Sequence, residues 1–316
     1  MKPALRVIST GVCLPERIVT NDEIRRERNA AIDPQWVENT LGIRQRRIAE
    51  DGVQTSDLAA KAAREALRNA GVAADSIDLV IVATSSPDQR APATACFVQK
   101  KAGLTNAIAF DVSAVCSGFL FSLTTAASML HAGQARRALV IGADIYSRVT
   151  DWGRRDCVFF GDGSGAALLE SGPQTAHGHF DAELFTDSTA AQAFSIKGQG
   201  DSFDMNGPAV FNAAKHAVPR CINEVLARNG MTSSDVDIVV PHQPSRSLLG
   251  EIARRADIPF DRFHLNMDRY ANTVGATIPI ALHEAVMAGK VHSGDRMLFA
   301  AAGAGFTAGA AIHHWC

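Results

Sequence analysis

Residues 65–82 read EALRNAGVAADSIDLVIV, and residues 224–241 read EVLARNGMTSSDVDIVVP. Glu65 matches Glu224, Leu67 matches Leu226, Gly71 matches Gly230 and Asp78 matches Asp237, every pair 159 positions apart (224 − 65). Each segment carries a helical pattern that stops at glycine, then an unbroken apolar run of strand length, the pattern of a strand buried on both faces. A second pair follows in the same order. AFDVSAVCSGFLFSLTTAASMLHAG ends at Gly133 and LNMDRYANTVGATIPIALHEAVMAG ends at Gly289, 156 positions apart (289 − 133). At that offset Cys116 falls opposite Asn272. Helix-then-strand units resemble one another by chance, but two aligned pairs at nearly constant spacing point to duplication. The expected architecture is two similar α/β halves, residues 1–170 and 205–316, packed as layers of sheet and helix. Residues 171–204, rich in small and polar residues, read as an inserted connector.

The chain has 316 residues, 47% hydrophobic and 20% charged, which suits a globular protein with a sizeable core. Lys plus Arg is 31 against 33 for Asp plus Glu. Nucleic-acid and membrane-surface proteins favour a basic excess, so neither partner is expected. The N-terminus has no charged region leading into an apolar one, and no run is long enough to span a bilayer. The six cysteines, at 13, 96, 116, 157, 221 and 316, form no C-x-x-C pair and no disulfide framework. A reducing, cytoplasmic location is expected, with no metal centre.

Three side chains stand where chemistry is done. Cys116 follows the strand that ends near Val112 and precedes a helix starting at about Ser117 or Gly118. There its sulfur faces unpaired helical N–H groups, which lowers a thiol pKa and favours thiolate. An isolated cysteine is more often a small buried hydrophobe, and the other five lack this setting. His242, in VVPHQPSR, sits at the C-terminal end of a buried strand, where α/β sheets carry their sites. Asn272, in RYANTVGATIPIAL, precedes a helix, and its ordinary role would be to cap that helix. The two roles differ in where its amide points. GDGSGAALL (161–169) lacks the lysine and spacing of a phosphate loop and reads as a tight turn near the site. AAGAGFTAG (301–309) follows the last strand, and the N–H of Ala304 is an oxyanion-hole candidate beside that of Cys116.

Cys116 at a strand–turn–helix junction, then VPHQ, an Asn-Thr turn and a late GAGF, in that order, resembles the thiolase-like condensing enzymes. STGVCLP, GIRQRR and FGDGSGAAL extend the resemblance over nearly the whole chain. It is most similar to β-ketoacyl-acyl-carrier-protein synthase III. That resemblance implies a duplicated α/β fold layered α-β-α-β-α and a homodimer. It also implies that Cys116 is acylated while His242 and Asn272 bind the malonyl carbonyl. The substrates would be coenzyme A thioesters and the phosphopantetheine of malonyl-acyl-carrier protein, with no tightly bound cofactor. Thiolases carry a second cysteine in the late glycine-rich loop, and elongating synthases use two histidines. This chain has neither feature.

Departures from the family pattern bear on the donor. Thr40 stands where an arginine after Trp36 usually helps hold coenzyme A, and Pro244-Ser245-Arg246-Ser247 replaces Ala-Asn-Leu-Arg. Trp36 and Arg154 are the adenine candidates, with Arg246 for phosphate. Ala91 occupies a position where acetyl-specific relatives carry a phenylalanine that closes the acyl pocket across the dimer, which implies longer acyl groups. Arg254 and Arg255 match a basic carrier-docking position, though a solvated helix face reads the same way. Two other functions stay open: transfer of the acyl group to oxygen, nitrogen or an unusual carbon, and a non-catalytic partner subunit.

Overall fold

In the computed structural model, which describes residues 4–28, 31–172, 178–198 and 200–316, the apolar runs form two stacked sheets. The first contains β1 (Ala4–Cys13), β2 (Leu79–Ala83), β3 (Ile108–Val112), β4 (Arg137–Ile145) and β5 (Asp162–Gly172), in the order β1-β5-β4-β2-β3. The second contains β6 (Phe180–Thr186), β7 (Ile238–Pro241), β8 (Arg296–Gly303) and β9 (Thr307–His314), in the order β7-β8-β9-β6. The orientations repeat. β2 and β4 pair in parallel, as do β7 and β8, and antiparallel pairs continue outward to β1 and to β6. A lone parallel bridge, Val239 to Phe263, stands where β2 pairs with β3 in the first sheet.

Helices fill the remaining layers. α1 (Thr55–Ala70) and α2 (Thr94–Ala102) cover the outer face of the first sheet, joining Val80, Val82, Leu139 and Ile141 in one core. α3 (Gly118–His131) and α6 (Thr277–Met287) lie between the sheets, where Phe119, Leu123, Ile278 and Leu282 meet strand residues of both. α4 (Gly207–Arg228) and α5 (Arg246–Ala256) cover the second sheet. The result is five layers, α-β-α-β-α. α3 and α6 are apolar nearly all round because sheets bound them on two sides. Among the described residues no helix is long and apolar enough to cross a membrane.

The stretch 171–204 is not simply a connector. Ser171 and Gly172 end β5, and β6 forms an edge of the second sheet, paired with β9 from His313–Phe180 to Thr307–Thr186. FDAELFT is half-buried and carries acidic residues that reach Arg228, so its hydrophobic pattern is weak in sequence. Phe194–Ser195 pairs with Asp204–Met205 in a small ribbon. Residues 173–177 and 199 of this stretch, and residues 1–3 of the N-terminus, lie outside the described residues. The GDGSGAALL stretch also differs from expectation, since it is strand β5 and not a turn. Its glycines do serve close approach: a Cβ at Gly165 would stand 2.7 Å from the Ile280 nitrogen on α6.

Candidate active site

The duplication leads two chain reversals to one place. Val115 and Ala271, 156 positions apart (271 − 115), have φ of 48° and 57°, each just before the residue that matters. Left-handed backbone at a β-branched or alanine side chain is strained, and it turns Cys116 and Asn272 away from their elements. The Asn272 Oδ1 accepts from the Val274 N–H at 2.8 Å. Its amide nitrogen is therefore free to donate, and the Asn272 side chain hydrogen-bonds the Cys116 sulfur. Asn272 thus caps its own turn with one end and meets the cysteine with the other.

His242 follows β7, and its backbone N–H donates to Ala300 O on the neighbouring strand β8 at 2.8 Å. Its Nδ1 lies 2.7 Å from Thr277 Oγ1, and burial drops the imidazole to about 3, so it is neutral at neutral pH. Asp144, at the end of β4, ties the two halves together. Its Oδ1 accepts from the Ser85 and Ser86 N–H groups, and its Oδ2 from the Gly275 N–H at 2.9 Å. Burial pushes this carboxyl up to about 6 in spite of those donors.

Cys116, His242, Asn272 and Ala304 line one cavity of about 410 Å³, whose walls are mainly apolar. Pro208 and Ser247 mark its exposed end, and Phe160, Phe194 and Met205 join the lining. Cys116 packs against an aromatic cluster in which the Tyr146 and Phe160 rings, and the Phe160 and Phe203 rings, are 4.9 Å apart. Nothing in sequence marks Tyr146, Phe194 or Phe203, because they come from three separate segments. Gly303 brings the late glycine-rich turn in. A Cβ there would stand 2.8 Å from Ala114 O and 2.9 Å from the Ser117 nitrogen, so Ala304 follows close beside the cysteine turn.

The expected lowering of the Cys116 thiol is overturned. Burial pushes it up to about 12, the Asp144 carboxylate adds to the rise, and the hydrogen bonds from Asn272 and the Cys116 N–H only partly oppose it. Removal of water from the sulfur is the largest cause of the rise.

The candidate coenzyme A residues divide. Trp36 is half-buried, but the guanidinium above it, 4.5 Å from the ring centre, belongs to Arg155. Arg154 turns away to Asp156, Asp204 and the Phe203 carbonyl. Arg155 opens a short 3-10 helix and reaches Trp36, while Arg154, just before it, is held by the Asp156 carboxylate two residues on. Arg246 is exposed at the first turn of α5, beside Gly42. Thr40, Pro244, Ser245 and Ser247 line the cavity. Ala91 is exposed and does not line the cavity of its own chain. Arg254 and Arg255 both bond Glu251, at 2.8 and 2.6 Å, and this holds its carboxyl down at about 2. Among the described residues no group of three or more His, Cys, Asp or Glu side chains is arranged to hold a metal ion.

A cysteine on a strained turn between two duplicated halves, in an α-β-α-β-α fold, defines a thiolase-like condensing enzyme, an acyltransferase. Residues 110–188 match the family model for 3-oxoacyl-[acyl-carrier-protein] synthase III, and residues 226–315 match the model of its C-terminal part. A β-ketoacyl-[acyl-carrier-protein] synthase III of Bordetella petrii is 42% identical over 97% of this chain and 96% of that protein. The Rhodospirillum centenum relative of the same name is also 42% identical, over 98% of each chain. The 3-oxoacyl-[acyl-carrier-protein] synthase III structure from Aquifex aeolicus superposes with a TM-score of 0.93 at 35% identity, covering 98% of this chain and all of that one. The Pseudomonas aeruginosa structure gives 0.93 and 35%, over 99% and 98% of the two chains. The chain belongs to the 3-oxoacyl-[acyl-carrier-protein] synthase III family.

Proposed function

We propose that this enzyme condenses an acyl-CoA with malonyl-acyl-carrier protein, giving a 3-oxoacyl-acyl-carrier protein and CO₂ in fatty acid or related biosynthesis. The Cys116 sulfur attacks the thioester carbonyl, the bond from that carbon to the coenzyme A sulfur breaks, and coenzyme A leaves as the thiol. The malonyl unit then loses CO₂, and the electron pair of the broken C–C bond becomes an enolate. Its carbon attacks the acyl-cysteine, and the Cys116 thiolate departs and takes up a proton. The Cys116 and Ala304 N–H groups stabilise the oxyanion of each tetrahedral intermediate, and Asn272 and His242 face the enolate oxygen.

The observation that carries this reading is the single apolar cavity shared by Cys116, Asn272, His242 and Ala304. Coenzyme A would meet Trp36 with Arg155, its phosphates reaching toward Arg246. The carrier would dock on α5 near Arg254 and Arg255. The working form is a cytoplasmic homodimer, in which Ala91 borders the partner's acyl chamber.

The test combines intact-protein mass spectrometry with labelled malonyl-acyl-carrier protein. An acyl adduct on Cys116 followed by CO₂ release and a 3-oxoacyl product supports the proposal. An adduct that forms and is passed to an alcohol or amine without CO₂ release would sink it in favour of the O- or N-transfer reading. No adduct and no CO₂ would leave a non-catalytic partner subunit.

A further inference from the structure

His242 is bound to Asn272 and Cys116 by a chain of hydrogen bonds that runs through Thr277. The Thr277 hydroxyl has one proton and two neighbours, Val274 O at 3.0 Å and His242 Nδ1 at 2.7 Å. A carbonyl oxygen can only accept. If the hydroxyl proton went to Nδ1, the 3.0 Å contact would set two oxygen lone pairs against each other in a buried site. Only one assignment satisfies both contacts: the hydroxyl donates to Val274 O, and Nδ1–H donates to the hydroxyl oxygen. Val274 O also takes the Thr277 N–H and has a second lone pair for the hydroxyl. The same Val274 donates its N–H to Asn272 Oδ1, whose amide meets the Cys116 sulfur. Among the described residues His242 Nε2 has no protein partner, and the ring lines the cavity.

We infer that Thr277 is a positioning residue that holds His242 as the Nδ1–H tautomer, so that in the free enzyme Nε2 meets the cavity as a hydrogen-bond acceptor. Free imidazole favours no such fixed arrangement. Here the tautomer is set by the partner of the other nitrogen. This deepens the condensation reading and rests on it for the chemistry. In the acylating half-reaction the Cys116 proton passes to Nε2 as the sulfur bonds the acyl carbon. Nε2 keeps this proton while the old C–S bond breaks, and the departing coenzyme A thiolate takes its proton from water. The imidazolium then presents Nε2–H to the malonyl carbonyl and the enolate oxygen, and returns the proton to the Cys116 thiolate as the product leaves.

The experiment reads the tautomer directly, by ¹⁵N NMR of the histidine-labelled free protein, with the His242 signals assigned by their loss in His242→Gln. The wild type is expected to show a protonated Nδ1 and an unprotonated Nε2. Thr277→Val keeps the shape of the side chain without the hydroxyl, and it should shift population to Nε2–H. Its acylation rate, followed by intact mass, should fall roughly a hundredfold, within the range of lost acid–base assistance. Thr277→Ser restores the hydroxyl and should return both tautomer and rate toward wild type, which a packing role for the methyl group would not predict. A wild-type ring protonated at Nε2 would overturn the inference, as would a Thr277→Val protein with unchanged tautomer and unchanged acylation. The NMR result does not depend on turnover. Failure of the condensation reading would show instead as absent CO₂ release with the tautomer intact.

Discussion

At the scale of single residues, a thiol held near 12 is almost wholly protonated at neutral pH, so Cys116 has to be considered with its proton acceptor. We expect Cys116→Ala to abolish the acyl adduct in intact-protein mass spectra. His242→Ala should slow adduct formation about a hundredfold, a loss typical of general base removal. Wild-type acylation by His242→Ala would mean that the helix terminus activates the thiol unaided. Cys116, His242 and Asn272 were legible in sequence because each stands at a strand end or turn whose position the repeat defines. Thr277 and Asp144 were not. Their importance lies in what they touch, and Gly275 is 131 positions from Asp144.

At the scale of elements, the site depends on how closely β4 abuts the turn that carries Asn272. A Cβ on Gly142 would stand 2.1 Å from Gly275 O and 3.0 Å from the Ala276 Cα, both backbone atoms that cannot swing aside. We expect Gly142→Ala to cost about 1–3 kcal/mol of stability, the usual scale of overpacking, and to reduce CO₂ release by moving Asn272. Gly250→Ala on α5 is the control, since no atom lies within 4 Å of its added Cβ. It should stabilise by about 0.5–1 kcal/mol through helix propensity. Urea midpoints of both variants check the pair, and equal effects would discredit the steric account. On α5 itself Glu251 offsets the charge of Arg254 and Arg255. Glu251→Gln should therefore lower KM for an acidic carrier and steepen its salt dependence, with acylation by a small free thioester unchanged. Unaltered carrier kinetics would make this helix face an ordinary solvated one.

At the scale of the whole molecule, burial of ionisable groups between the halves makes stability depend on pH. His242 is lowered to about 3 and His313 to about 4, both by burial. The unfolded chain protonates these rings near 6.5 and the folded chain does not, so their contribution is full above about pH 6.5 and lost as the pH falls. Asp144, raised to about 6, acts oppositely: its contribution is present below its unfolded value and lost as pH rises through about 6. Acidification therefore removes the contribution of the two buried histidines, a loss separate from what the raised carboxyls Asp144 and Asp162 gain. His242→Gln should recover about 2 kcal/mol of that loss at about pH 5, seen as a shallower fall in urea midpoint from neutral pH. An identical pH profile in the variant would refute the buried neutral ring. Acyl selection belongs to this scale as well under the proposed homodimer, since Ala91 lies outside its own chain's cavity and would act only across that assembly. We expect the wild type to favour donors longer than acetyl, each added methylene contributing up to about 0.8 kcal/mol, and Ala91→Phe to lose them. Acetyl as the best wild-type donor, with longer chains unaffected in Ala91→Phe, would reverse that expectation.

The internal repeat was enough, without coordinates, to imply two sheets, and the paired glycines at 71 and 230 and at 133 and 289 all adopt positive φ, as helix stops require. Such features are legible because helix period, strand runs and glycine stops are properties of neighbouring residues. Other features arose only on folding. Strand β6 is held by pairing to β9, more than a hundred residues away, and its own half-buried, acidic pattern hardly announces a strand. The exchange of Arg154 for Arg155 above Trp36 follows from capture of Arg154 by Asp156 and Asp204. The proton affinity of Cys116 was misjudged for the same physical reason. A helix terminus is local and can be read from sequence, whereas desolvation sums over every segment that closes around the sulfur.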